Sequence, residues 1–143
     1  MTAQQAIERA DDLRAGNAVP YELKLAWLND VEHIVYNEVI RTHLHDFRTS
    51  PWWHRNPETG KWEFLPCPEY TDENTNAELI AEHPYDNLYP FYIMAQIDLY
   101  SQDMDLYNAS TMKFNEAYGK YAYKYNREHR PVPNPRLKVG VFR

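Results

Sequence analysis

The stretch from Tyr85 to Arg130 constrains the fold of this chain most strongly, because it predicts two long helices folded back on each other. Its first half places apolar side chains at helical spacing, at Leu88, Phe91, Tyr92, Ala95 and Leu99. Its second half has one stripe with a 3.6-residue period, formed by Tyr107, Thr111, Phe114, Tyr118, Tyr121 and Tyr125. The polar break between the halves, residues 101–105, is short, so the two helices should be antiparallel.

Two further helices are predicted before this hairpin. Thr2 is suited to cap a helix over residues 3–13, with an apolar side formed by Ala6, Ile7, Ala10 and Leu13. Pro20 is well placed to open a second helix that we expect to run to about Leu44. The sequence therefore predicts a mainly α protein, an antiparallel bundle of about four helices that forms one domain over residues 1–130.

Residues 45–83 interrupt the helical pattern and are expected to project from the helical body. Residues 52–55 and 61–65 flank a turn-like segment, 56–60, which predicts a β-hairpin with a five-residue loop. The hairpin carries Trp52, Trp53 and Trp62, more large rings than an isolated two-stranded ribbon can bury. We expect these tryptophans to lie against the helical body or, in preference, against a neighbouring subunit.

Residues 131–143 are predicted to form an extended C-terminal tail. Prolines at 131, 133 and 135 exclude a helix, and residues 137–142 resemble a strand that lacks a partner within the chain. We expect the tail to become ordered only through contact with another molecule, by strand addition and by salt-sensitive attraction. The candidate interface residues of the tail are Arg136, Lys138, Val141, Phe142 and Arg143.

Charge is distributed unevenly along the chain, whose net charge is −6. Residues 58–112 contain one basic and eleven acidic side chains, whereas residues 113–143 contain eight basic and two acidic ones. Such a chain can stack head-to-tail on copies of itself, or its basic helix face can lie over its own acidic zone. The N-terminus lacks a signal-peptide pattern and no apolar run approaches ~20 residues, so we expect a soluble protein without a membrane partner.

The sequence offers little for catalysis. His43, His45, Asp46 and His54 form the one cluster of metal-ligand residue types, and a solvent-exposed helix end explains them more simply than a metal site. A single cysteine, the absence of a glycine-rich phosphate loop and the lack of a nucleophile elbow predict a protein that is not an enzyme and uses no cofactor. The alternative is a small metal-dependent protein that uses this cluster, or one that binds nucleic acid through the basic fourth helix, at Lys113, Lys120, Lys124, Arg127 and Arg130.

Two segments resemble the small head-tail connector (adaptor) proteins of tailed bacteriophages. The first is YELKLAWLNDV at residues 21–31 with IVYNEVI at residues 34–40, which is similar to the opening helix of these adaptors. The second is PYDNLY at residues 84–89, followed by AQID at 95–98, YN at 107–108, FNEAY at 114–118 and YNR at 125–127. The hairpin at 51–65 and Pro90 inside the third helix depart from the family pattern.

The resemblance implies a structural, non-enzymatic virion protein made in the host cytoplasm and located in the neck, at the head-tail interface. Such adaptors form a ring beneath the portal, expected to follow its twelvefold symmetry, and link it to stopper or tail-completion proteins. Genomic DNA passes through the ring without specific binding. An acidic channel lining fits this role, because like charge suppresses attraction to phosphates.

Overall fold

A computed structural model describes residues 1–132 and confirms a mainly helical protein with one small two-stranded sheet. Within this range no helix is both long and apolar enough to cross a bilayer. In chain order the elements are α1 (Ala3–Leu13), α2 (Tyr21–Val35) with a π-helical turn (Tyr36–Ile40), β1 (Trp53–Arg55), β2 (Trp62–Phe64), α3 (Leu88–Tyr100) and α4 (Met104–Glu128).

Helix α3 lies at the centre of the molecule and contacts α1, α2 and α4. It runs antiparallel to α4, because residues late in α3 meet residues early in α4 and the reverse. The Asp98 carboxylate accepts a hydrogen bond from Ser110, and the Tyr92 ring lies 5.2 Å from the ring of Phe114. The predicted helical hairpin is therefore confirmed.

The apolar face predicted for α3 was partly wrong. Leu99 is 42% exposed, whereas Tyr89, Ile93 and Ile97 are buried. A helix packed against three others is apolar around most of its circumference, so no single stripe in its sequence identifies the core side. Leu13, at the end of α1, was also expected inside and is 42% exposed.

The helix starts follow the local sequence closely. Thr2 caps α1 through a capping box in which Thr2 Oγ1 accepts from the Gln5 N–H and the Gln5 side chain accepts from the Thr2 N–H. Asp103 caps α4 by accepting a backbone N–H of its first turn. Pro90 is the third residue of α3, where its missing N–H removes no helical hydrogen bond.

Helix α2 ends earlier than the predicted Leu44. Its last turn, Tyr36–Ile40, is π-helical, and the Arg41 N–H donates to the carbonyl of Tyr36 at 2.9 Å. The Thr42 hydroxyl then hydrogen-bonds to carbonyls of that turn, which satisfies helix-end acceptors and stops the helix at Ile40. The segment that leads to the hairpin therefore begins four residues earlier than predicted.

A buried carboxylate ties the segment after the hairpin to the helices. Glu32 in α2 is fully buried and accepts hydrogen bonds from the hydroxyls of Tyr70 and Tyr89, both at 2.7 Å, and from the Ile80 N–H at 3.1 Å. Burial raises the pKa of Glu32, and the three donors offset this only in part. The Ala81 N–H donates to the Tyr89 hydroxyl, so the segment around residue 80 is held at two points.

The first two residues of the expected tail pair with their own chain. The Leu44 N–H donates to the Arg130 carbonyl and the Val132 N–H donates to the Thr42 carbonyl, both at 2.7 Å. These bonds form an antiparallel bridge between His43 and Pro131. The expectation that the tail is ordered only by another molecule is therefore wrong for residues 131 and 132. The rest of it concerns residues 133–143, which lie outside the described range.

Candidate functional site

The β-hairpin and the loop before it present an aromatic surface formed by Phe47, Trp53 and Trp62. The rings of Phe47 and Trp53 have centroids 4.4 Å apart, and the Trp62 ring lies 6.1 Å from Phe47. Phe47 and Trp62 are each 51% exposed. Strands β1 and β2 pair Trp53 with Phe64 and Arg55 with Trp62, which puts the two tryptophans on one face of the hairpin.

Trp52 has a different role from the other two hairpin tryptophans. Its ring lies 5.5 Å from the ring of Tyr36 and stacks with Phe64 at 6.0 Å, so it packs on the helical body of the same chain. The Tyr36 hydroxyl also donates to the Leu65 carbonyl and fixes the base of the hairpin. Of the three tryptophans, Trp53 and Trp62 therefore belong to the aromatic surface and Trp52 does not. Their contact with a neighbouring subunit stays a prediction.

A groove of about 1140 Å³ lies between the base of the hairpin and the C-terminal half of α4. Its floor is α4, with Tyr121 and Tyr125. One wall is the loop 44–52, and the other is formed by residues of 65–82, including Ile80. Because Glu32 binds the Ile80 N–H, the buried network described above holds this second wall in place.

The ionic contacts in the groove involve Lys124, which pairs with Glu82 and, at 3.2 Å, with Glu128. Burial alone would lower the pKa of Lys124, but its hydrogen bonds to these two carboxylates raise it. Glu82 belongs to the acidic zone and Lys124 to the basic helix face. At this point the basic face does lie over the acidic zone of the same molecule.

The four side chains of the sequence cluster do not converge, and the expectation of a solvent-exposed helix end is wrong for His43, which is buried. His43 is buried, with Nδ1 near the Val39 carbonyl and Nε2 near the Asn126 side-chain oxygen, while His45 Nε2 lies 2.9 Å from the Ile40 carbonyl. His54 is on the hairpin, where Nε2 lies 3.8 Å from a Glu63 carboxylate oxygen. Asp46 accepts a backbone N–H of the following loop. Over residues 1–132 no three such side chains are arranged to hold a metal ion.

His129 is a residue of this region that the sequence did not single out. Its ring stacks on Tyr125 at 4.1 Å and lies 5.3 Å from His45, so both imidazoles line the groove. Burial, followed by the neighbouring His45, lowers the pKa of His129. The only sequence signal was its place at the end of α4, where a histidine is usually explained by the helix dipole.

Some of the basic residues on α4 and just after it have partners within the chain. Lys120 pairs with Glu116 at 3.1 Å, and the Arg127 guanidinium lies 5.2 Å above the ring of Tyr123. Lys124 has the two carboxylate partners described above. Lys113 lines a smaller pocket of about 340 Å³ near the start of α3, and Arg130 lies at the groove. Among the described residues, Lys120 and Lys124 therefore have carboxylate partners, whereas Lys113, Arg127 and Arg130 have none.

The predicted tail contacts cannot be compared with this geometry, because Arg136, Lys138, Val141, Phe142 and Arg143 lie outside the described range. Residues 21–40 form α2 with its π-helical turn, and most of residues 84–127 form the α3–α4 pair; both parts contribute to the core. Comparison of the chain with protein-family models, with curated proteins and with solved structures finds no match.

Proposed function

We propose that this chain is a structural head-tail adaptor of a tailed phage, located in the virion neck after synthesis in the host cytoplasm. It forms a ring of twelvefold symmetry beneath the portal and links the portal to stopper or tail-completion proteins, while genomic DNA passes through without specific binding. It is not an enzyme and needs no cofactor. Its helices act as an antiparallel bundle that carries the hairpin and an extended C-terminal tail to these partners.

The aromatic surface is the observation that carries this proposal. Phe47, in the loop before the hairpin, and Trp62, on β2, are half exposed with ring centroids 6.1 Å apart, and the Trp53 ring lies beside Phe47. Clustered exposed aromatics are typical of protein–protein contacts, and tryptophan is enriched among the residues that dominate binding energy. A scaffold protein that joins other proteins needs such a surface, whereas a catalytic protein needs converging polar groups.

Charge supports the passage of DNA. Residues 58–112 carry a net charge of −10, and the carboxylates of Glu82, Glu116 and Glu128 occupy lysines of α4. An acidic surface repels phosphates, and lysines paired with carboxylates attract them less. The resemblance of α2 and of the α3–α4 pair to adaptors supplies the biological setting.

The test combines the purified protein with rings of a tailed-phage portal protein, and images the product by electron microscopy. We expect a second ring on the portal. Trp62→Ala should weaken its formation by about tenfold, the loss of about 1.4 kcal/mol expected at an interface hot spot. Met112→Ala is the matched control, because Met112 is an apolar residue, 72% exposed, on α4 and away from the hairpin.

Three outcomes would contradict the proposal. One is the absence of any ring on the portal. The second is a salt-dependent shift of duplex DNA that is lost when Lys113 and Lys120 are replaced by Ala. The third is stoichiometric zinc or iron in the purified protein that disappears in His43→Ala with His45→Ala.

A further inference from the structure

The corner where α3 turns into α4 buries a polar side chain and exposes apolar ones. Asp98, near the end of α3, is 2% exposed, and its carboxylate binds the Arg14 guanidinium at 2.6 and 3.0 Å and accepts a hydrogen bond from Ser110. Four large apolar residues of the corner, which we call the corner patch, are each 42–53% exposed: Leu99, Tyr100, Met104 and Leu106. Exposed apolar side chains that cluster in one place are typical of an interaction site, whereas single ones are ordinary.

The corner is held in a defined geometry by its hydrogen bonds. The Gln102 N–H donates to the Leu99 carbonyl and the Asp103 N–H donates to the Asp98 carbonyl, both at 3.0 Å, which is the Schellman pattern of a helix C-terminus. Gln102 takes the left-handed conformation that this pattern uses, with a φ of 59°. Arg14 ties the end of α1 to the same corner through Asp98. A surface fixed in this way loses little conformational freedom when a partner binds.

The charge at the corner is negative. Asp103 and Asp105 are exposed at the start of α4, and neither forms an ion pair within residues 1–132. The nearby cation, Arg14, is bound to the buried Asp98. The corner patch therefore suits a partner surface that combines aromatic or apolar side chains with a basic one.

The aromatic surface has this composition. Arg55 faces Trp62 across the strands and lies two residues after Trp53, so its side chain is on the same side of the hairpin as the two tryptophans. The Arg55 guanidinium donates to the Gly60 carbonyl at 3.3 Å and has no carboxylate partner among the described residues. The acidic strand residue, Glu63, is on the opposite side of the hairpin. Tryptophan and arginine are enriched among the interface residues that dominate binding energy.

The loops that border the aromatic surface carry mixed charge. Arg48 and Lys61 are basic, Asp46 and Glu58 are acidic, and all four are exposed. Because these formal charges offset one another, Arg55 is the charge that distinguishes the aromatic side of the hairpin. We therefore expect Arg55, rather than a loop residue, to meet a carboxylate of the partner.

The corner patch and the aromatic surface lie at opposite ends of α4. Met104 begins the helix, whereas Tyr125, near its end, has its ring 6.1 Å from that of His45, which lies 5.4 Å from Phe64 of the hairpin. A rise of 1.5 Å per residue puts Met104 and Tyr125 roughly 30 Å apart. A contact between the two surfaces therefore joins two molecules head to tail. Such a heterologous contact forms a closed ring when the rotation between copies divides the full turn.

We propose that the aromatic surface of one copy of this protein binds the corner patch of the next copy. Trp62 packs against Met104 and Tyr100 of the neighbour. Arg55 pairs with the carboxylate of the neighbour's Asp105. The inference rests on the proposed function, because this head-to-tail contact is the one that joins neighbouring subunits of the adaptor ring.

Mixing two full-length variants, each with one surface broken, tests the proposal by sedimentation velocity. Met104→Lys puts a cation into the corner patch, and Trp62→Ala removes a large ring from the aromatic surface. Each variant alone should self-associate about tenfold more weakly than the wild-type protein. An equimolar mixture offers one intact corner patch and one intact aromatic surface per pair, so it should form 1:1 dimers and nothing larger.

The matched control is Tyr123→Lys, the same kind of change at another exposed position of α4. Tyr123 is 65% exposed and belongs to neither surface, so this variant should self-associate like the wild-type protein. Charge reversal tests the ion pair: Arg55→Asp and Asp105→Arg should each weaken self-association about fivefold. Both reversals in one chain should restore it to within about twofold of the wild-type protein.

Four results would overturn this contact. They are a wild-type protein that is still monomeric at about 0.5 mM, equal weakening by Met104→Lys and Tyr123→Lys, a mixture that associates no better than its components, and no recovery in the double reversal. Rings on the portal that form equally well with Met104→Lys would also reject the contact but keep the adaptor function. Dimers in the mixture without rings on the portal would keep the contact and reject the adaptor function.

Discussion

The core around α3 and the aromatic surface of the hairpin are both rich in aromatic side chains, but the core buries them and the hairpin exposes them to solvent. Tyr89 is fully buried, and its hydroxyl accepts from the Ala81 N–H and donates to Glu32. Trp62 is 51% exposed and is paired with Phe47 at the hairpin surface. The first arrangement gives the buried Tyr89 hydroxyl both a donor and an acceptor and stabilises the fold. The second leaves apolar area in water, where another protein can cover it.

The largest expected effect comes from breaking the core side of this comparison at Glu32. Replacing Glu32 with Ala removes the acceptor for the hydroxyls of Tyr70 and Tyr89 and for the Ile80 N–H, and it leaves a cavity. Each unsatisfied buried donor costs about 1–3 kcal/mol, so we expect a loss of roughly 4 kcal/mol in the free energy of unfolding.

Urea denaturation measures this loss, with Asp30→Ala as the control on the exposed side of the same helix. The control should change stability by less than about 0.5 kcal/mol. If both variants unfold at the same urea concentration, the buried network does not stabilise the fold. The stated difference between the core and the hairpin would then be wrong.

The pH dependence of stability sharpens the same comparison. Burial raises the pKa of Glu32 above its usual value of 4.5, so between 4.5 and the folded pKa the native state keeps a proton that the unfolded chain releases. The contribution of Glu32 is fully present below pH 4.5 and falls as pH rises through this window. Its slope is at most about 1.4 kcal/mol per pH unit.

Glu32→Gln isolates this effect, because glutamine does not titrate and is close in size to the protonated acid. The difference in unfolding free energy between the wild-type protein and Glu32→Gln, measured by urea denaturation at several pH values, should shrink as pH rises above 4.5. A difference that stays constant from pH 4 to pH 8 would mean that Glu32 titrates alike in the folded and unfolded chains.

Local signals made much of the fold predictable. Thr2, Asp103 and Pro90 act within one helical turn, where a capping hydrogen bond or a missing N–H determines the boundary whatever surrounds it. The hairpin was equally readable, since its turn lies between two short aromatic strands. The end of α2 was not, because it depends on the π-helical turn at Tyr36–Ile40 and on the Thr42 hydroxyl.

The candidate site was less predictable than the fold because it is assembled from distant parts of the chain. Glu32 reads as an ordinary polar residue of an amphipathic helix, and only Tyr70, Tyr89 and Ile80 explain its burial. The ring of His129 likewise lies next to that of His45, a residue 84 positions earlier in the chain. Sequence patterns with a period of two or 3.6 residues carry no information about such long-range contacts.

The smallest expected effect on stability is that of Trp62→Ala, and it tests the recognition side of the comparison. Trp62 is half exposed, so its removal returns little buried area to water and should lower the free energy of unfolding by less than about 1 kcal/mol. Trp52→Ala is the matched variant from the same hairpin. Its ring packs on Tyr36 and Phe64, so its loss should cost more, about 2 kcal/mol.

Thermal or urea unfolding measures which of the two variants loses more stability. If the aromatic surface binds a partner, assembly on the portal should show the opposite order, with the larger loss for Trp62→Ala. Trp62→Ala should then assemble poorly while folding well, because the substitution removes an aromatic side chain that contacts the partner rather than the core of its own chain. Equal destabilisation by both substitutions would place Trp62 in the internal packing of the hairpin. In that case exposure alone would not separate residues that stabilise this protein from residues that recognise another.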